Sequence, residues 1–125
     1  MSSKNLWADL SQVELVRAPR TILLEQAEYL TQATKGTLAG FVGDSTAGQT
    51  FRYSLGVKVP GLNNYQVSVL SIEHTIDLYP VRIVASRTKT NATCSDDAEF
   101  ERAIGSVLSS PEIKTLLSRL LSQLK

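Results

Sequence analysis

From Phe51 to Val59 the chain alternates without a break: Phe51, Tyr53, Leu55, Val57 and Val59 fall on one side, Arg52, Ser54, Gly56 and Lys58 on the other. Successive strand side chains point to opposite faces, so a period of two describes a strand with one buried and one wetted face. Such strands belong to antiparallel sheets, which favours an α+β architecture over a doubly wound parallel one. The run stops at Pro60, which has no N–H to give to a ladder. Gly61-Leu62-Asn63-Asn64 then supplies residues that tolerate positive φ in a hairpin connection. Tyr65 to Glu73 reads as the next strand, with Tyr65, Val67 and Val69 on one face while Leu70 and Ile72 continue on the other. That change of phase indicates a bulge, or a strand covered on both faces. Thr37 to Gly43 reads as an earlier strand, followed by turn chemistry at Asp44-Ser45-Thr46-Ala47-Gly48. Val81 to Ala85 reads as a fourth, at an edge or starting just after Pro80. Arg87 to Ser95 is polar and aperiodic and reads as a flexible loop.

Outside this region the spacing turns helical. Pro19 suits a first helical position, where its missing N–H would be unpaired anyway. It opens Arg20 to Lys35, with Leu23, Ala27, Leu30 and Thr34 on a stripe widened by Ile22, Tyr29 and Ala33. Lys35 complements the helix dipole and Gly36 offers a left-handed stop. Ser95, followed by Asp96, Asp97 and Glu99, predicts a capped helix carrying Phe100, Ala103, Ile104, Val107 and Leu108. Ser110-Pro111-Glu112 starts another. Leu6 to Leu15 predicts a brief helix or a docked N-terminal arm. The expected fold is α+β: a four-stranded antiparallel meander with an N-terminal helix and two C-terminal helices packed on one face, in a single domain over residues 1–125. The opposite face would carry Arg52, Lys58, Gln66 and Arg82.

A chain of 125 residues can bury roughly two-thirds of its unfolded surface, enough for a core without metals or disulfides. Cys94 is the only cysteine, so no intrachain disulfide can form. Thirteen basic against twelve acidic residues leave a net charge of +1. That argues against a dedicated nucleic-acid binder, which carries a basic excess to displace counterions, and leaves only a local patch such as Arg82, Arg87 and Lys89. Charges at Lys4, Asp9, Glu14, Arg17 and Arg20 interrupt any secretory leader, and no apolar run approaches the length needed to span a bilayer. The expectation is a cytoplasmic protein with no membrane contact, in which the Asn91-Ala92-Thr93 sequon is incidental.

Gly43 to Thr50 looks like a phosphate-binding loop with Gln49 at the lysine position. Without that cation, and with a strand rather than a helix after it, a hairpin is the better reading. His74 is the only histidine, which excludes a His-rich metal site, and no cofactor is expected. Glu73, His74, Asp77 and Tyr79 form a candidate ligand site. On an extended strand, however, His74 points away from Glu73 and Asp77, and Ser71, Ser86 and Cys94 are nucleophiles without a recognisable elbow. Cys94 precedes a predicted helix N-terminus, a place that can lower a thiol pKa.

The strongest surplus lies at the C-terminus, where Ile113, Leu116, Leu117, Leu120, Leu121 and Leu124 recur at three-and-four spacing beside Lys114, Arg119, Gln123 and Lys125. Such a stripe is buried on its own sheet, in a partner's groove or against a second copy. The leading expectation is a non-catalytic binding or regulatory module acting through protein–protein contact or self-association, with those six residues as the contact. The alternative is a small-molecule-binding domain or weak enzyme with a pocket between helices and sheet near His74.

Overall fold

The computed structural model describes residues 3–125. Helix α1 (Pro19–Ala33) precedes strands β1 (Ala39–Asp44), β2 (Phe51–Val59), β3 (Tyr65–His74), β4 (Val81–Ala85) and β5 (Thr90–Cys94), and helices α2 (Asp97–Leu108) and α3 (Pro111–Ser122) follow. The strands form one antiparallel sheet in sequence order. The fold is α+β as expected, with one correction: the sheet has five strands, not four. The segment read as a loop after Arg87 turns at Lys89, whose φ is 54°, and returns as β5 beside β4. Its inward positions are only Thr90, Ala92 and Cys94, too small and too polar for apolar alternation to announce a strand.

The phase change in β3 is a bulge. Leu55 pairs with Leu70, but Gly56 pairs with Ser68, so Val69 is the extra residue. Insertion of one residue puts Val67 in register with Val57 and Ile72 with Tyr53, which restores a single apolar face. Leu55, Val57, Val59, Val69, Leu70, Ile72, Val81, Ile83 and Ala85 belong to one core cluster with Ile22, Leu23 and Ala27 of α1, Phe100, Ile104 and Val107 of α2, and Ile113, Leu116 and Leu120 of α3. The alternate series pairs Lys58 with Gln66 and sets Glu73 between Arg52 and Arg82. Of these, Arg52, Gln66 and Arg82 are exposed.

Local signals account for the helix ends. Asp96, rather than Ser95, caps α2 by accepting from the Glu99 N–H at 2.8 Å, while the Glu99 carboxylate accepts from the Ser95 N–H at 2.8 Å. This reciprocal pair is a capping box shifted by one residue. Ser110 caps α3 ahead of Pro111. Helix α1 ends at Ala33, and Lys35 and Gly36 both adopt positive φ. The Thr31 hydroxyl accepts the Gly40 N–H at 2.9 Å and the Thr34 hydroxyl accepts that of Leu38 at 3.0 Å, stitching the end of α1 to the approach to β1.

The N-terminal arm is neither the helix nor the docked segment expected. Beyond a 3-10 turn at Leu10–Gln12 it has no regular structure, and its large apolar side chains are exposed. Among the described residues no helix is long and apolar enough to cross a membrane.

Candidate functional site

The residues grouped around His74 do not converge. His74 lies on the apolar face, 7% exposed, with its ring stacked on Phe51 at a centroid distance of 5.4 Å. Its Nδ1 sits 2.7 Å from the Thr75 carbonyl oxygen, which only accepts, so Nδ1 carries the proton. Its Nε2 is buried without a partner among the described residues. Glu73 points through the opposite face, 3.4 Å from Arg52 Nε and 3.2 Å from Arg82 Nη1. Asp77 is exposed in the turn after β3. Ser71 also lies on the face opposite His74, since it pairs with Ser54, and burial pushes the Cys94 thiol up, reinforced by Glu99 and Asp96. The helix N-terminus therefore does not activate Cys94 as its position in the sequence allowed. Among the described residues, Ser71 and Glu73 therefore lie on the face opposite His74, and Asp77 is in the exposed turn.

Tyr79 has a structural task. Its hydroxyl donates to the Arg17 carbonyl at 2.8 Å, and its ring meets Phe100 edge-on at 6.4 Å. Arg17 in turn pairs with Glu25 of α1 and Glu101 of α2, so the arm is rooted here. Burial raises the Tyr79 phenol from 10.0 to about 12, with the Asp97 carboxylate adding and Arg17 opposing. Below pH 10 the phenol is neutral in both folded and unfolded chains. Between pH 10 and about 12 only the unfolded chain loses the proton, so rising pH favours unfolding. Urea midpoints should therefore fall across that window more steeply than in Tyr79→Phe. Equal slopes for the two proteins would refute the assignment.

The C-terminal stripe divides. Ile113, Leu116 and Leu120 are core residues; Leu117 and Leu124 are half-buried against that core; Leu121 is exposed. Leu117 forms one wall of an apolar groove of about 230 Å³ between α1 and α3. Leu55, Val57 and the bulged Val69 contribute from the sheet, Leu30 from α1, and Tyr29 stands at the mouth, 63% exposed. No charged side chain lines it. A shallower surface formed by Leu117, Leu121, Lys114 and Lys125 adjoins it along α3. The pocket expected between helices and sheet was placed near His74; this groove also lies between helices and sheet, but none of Glu73, His74, Asp77 and Tyr79 lines it. Tyr29, Leu30 and Val69 were not candidates in the sequence. The available signal was the width of the α1 stripe, more than one helix buries against one strand pair.

The Gly43–Thr50 segment is the hairpin between β1 and β2: Ser45 N–H donates to Arg52 O at 2.9 Å and Ala47 bridges Thr50. Strand β2, not a helix, follows it in the chain. Arg52 and Arg82, candidates for a basic surface, share the single carboxylate of Glu73. Comparisons with protein-family models, curated proteins and solved structures found no match to this chain.

Proposed function

We propose that this chain is a non-catalytic binding module that works through protein–protein contact, seating an apolar side chain of a short amphipathic partner segment between α1 and α3. The observation that carries this reading is an uncharged groove, floored by Leu55, Val57 and Val69, that stays open beside a half-buried Leu117. In this reading all three helices pack on the Leu55–Val57 face and the Arg52–Arg82 face stays wet. The shared core cluster of helix and strand residues supports that placement. Size separates this reading from a small-molecule site: about 230 Å³ is below the 300–1,000 Å³ typical of ligand pockets and suits one large side chain. We place the module in the cytoplasm, where a lone thiol such as Cys94 stays reduced.

Tyr29→Glu tests the reading, because that side chain is at the mouth and contributes little to the core. Used as baits in parallel, the variant should retain a directly bound protein partner about tenfold less well than the unaltered protein, at an unchanged melting temperature. A partner held equally by both baits, or a wild-type bait that holds none, would sink the proposal.

A further inference from the structure

We propose that the N-terminal arm of one copy of this chain docks in a second, larger cleft on another copy. That cleft, about 710 Å³, lies at the end of the sheet where β3 begins. Its apolar surface comes from Leu62, Val67, Leu116 and Leu120, and Arg87 and Arg119 line it without any acidic residue. Among the described residues neither arginine has an ion-pair partner. A half-apolar cleft with two unneutralised guanidinium groups fits a peptide that interleaves apolar side chains with carboxylates.

The chain carries such a peptide. Leu6, Trp7, Leu10, Val13, Leu15 and Val16 are between 52% and 89% exposed, a density of solvated apolar groups that marks an interaction segment. Between Asn5 and Val16 the only charges are Asp9 and Glu14. Two carboxylates therefore match two arginines.

Reach favours an intermolecular contact. The arm is rooted at Arg17 by Tyr79, beyond the end of β3, whereas the cleft includes Tyr65, the first residue of β3. Ten strand residues separate the two places by roughly 33 Å. Glu14, three residues from the root, extends at most about 11 Å, and Asp9 at most about 29 Å even if the Leu10–Gln12 turn were pulled straight. In the folded chain neither carboxylate pairs with Arg87 or Arg119. Asp9 would approach them only with the arm drawn taut and the Leu10–Gln12 turn undone, so a second copy supplies the arm at lower conformational cost. Reciprocal exchange of arms closes as a two-fold dimer. The contact uses different residues from the α1/α3 groove and stands independently of it.

Trp7 is the only tryptophan, so its emission reports the arm directly. Sedimentation and fluorescence over a concentration series of the full chain should show a monomer–dimer equilibrium in which dimer formation shifts Trp7 emission to the blue. Arg87→Glu with Arg119→Glu should weaken association by roughly tenfold or more, as should Asp9→Lys with Glu14→Lys. An equimolar mixture of the two double variants should restore it, since every arm–cleft contact is again of opposite charge. A protein that stays monomeric with unshifted Trp7 emission overturns the proposal. So does a blue shift independent of concentration, which would mean the arm lies on its own molecule. Dimerisation indifferent to the arginine pair, or a mixture that fails to recover it, would overturn it equally.

Discussion

Phe100→Ala should lower the free energy of unfolding by about 3–5 kcal/mol. Phe100 is wholly buried, 0% exposed, and is the largest fully buried side chain of the core. It sits on α2 and meets the Tyr79 ring edge-on, so truncation opens a cavity where α2 and the loop after β3 come together. The removed ring loses its transfer free energy, and the cavity adds to that loss because close-packed neighbours collapse only in part. Set against the 5–15 kcal/mol typical of a domain, the change would leave a marginal protein. Urea denaturation would register it as a lowered midpoint with an unchanged slope. A loss below about 1.5 kcal/mol would mean that Phe100 is not the keystone its burial indicates.

Gly40→Val should be comparably damaging through the opposite mechanism. A Cβ built on Gly40 would stand 2.4 Å from the Ala27 carbonyl oxygen, 2.5 Å from its Cα and 2.8 Å from its carbonyl carbon. All three are backbone atoms, so no flexible side chain can swing away. Helix α1 would have to lift from β1, stretching the Thr31–Gly40 hydrogen bond and exposing Ile22, Leu23 and Ala27. The expected cost is at the upper end of overpacking, about 3 kcal/mol, or a fall in melting temperature on the order of 10 °C. Gly105→Ala is the control: that glycine is in α2 with nothing within 4 Å of the added carbon, and the substitution should not lower the melting temperature. A Gly40→Val protein that melts like the wild type would show that α1 does not rest on β1 at this point.

Both positions bear on how much of the molecule its residues announce. Phe100 falls on a capped, apolar stripe and was expected inside. Gly40 gave no sign, because close approach of two backbones is a relation between segments. The central strands were legible for the same reason as the caps: alternation at Phe51–Val59, the phase slip at Val69 and the acidic start of α2 are consequences of backbone geometry within a few residues. β5 was not, since Thr90, Ala92 and Cys94 carry little hydrophobic contrast and the strand exists because β4 offers a free edge across a tight turn at Lys89.

The candidate sites divide in the same way. The leucine stripe of α3 was visible, but its partition into core Leu116 and Leu120, groove Leu117 and exposed Leu121 depends on where the helix lies over the sheet. The apolar arm looked like something to be packed and is exposed instead, because hydrophobicity specifies that a surface seeks cover without specifying the cover. His74 and Glu73, adjacent in sequence, are separated by the thickness of the sheet. Period and capping are local, and so the chain alone determined its three long helices, its central strands and the faces of the regularly alternating β2. Which stripes were consumed in the core, and which pairs of distant segments left a cleft between them, depended on contacts across the whole length of the chain, and only the folded molecule decided them.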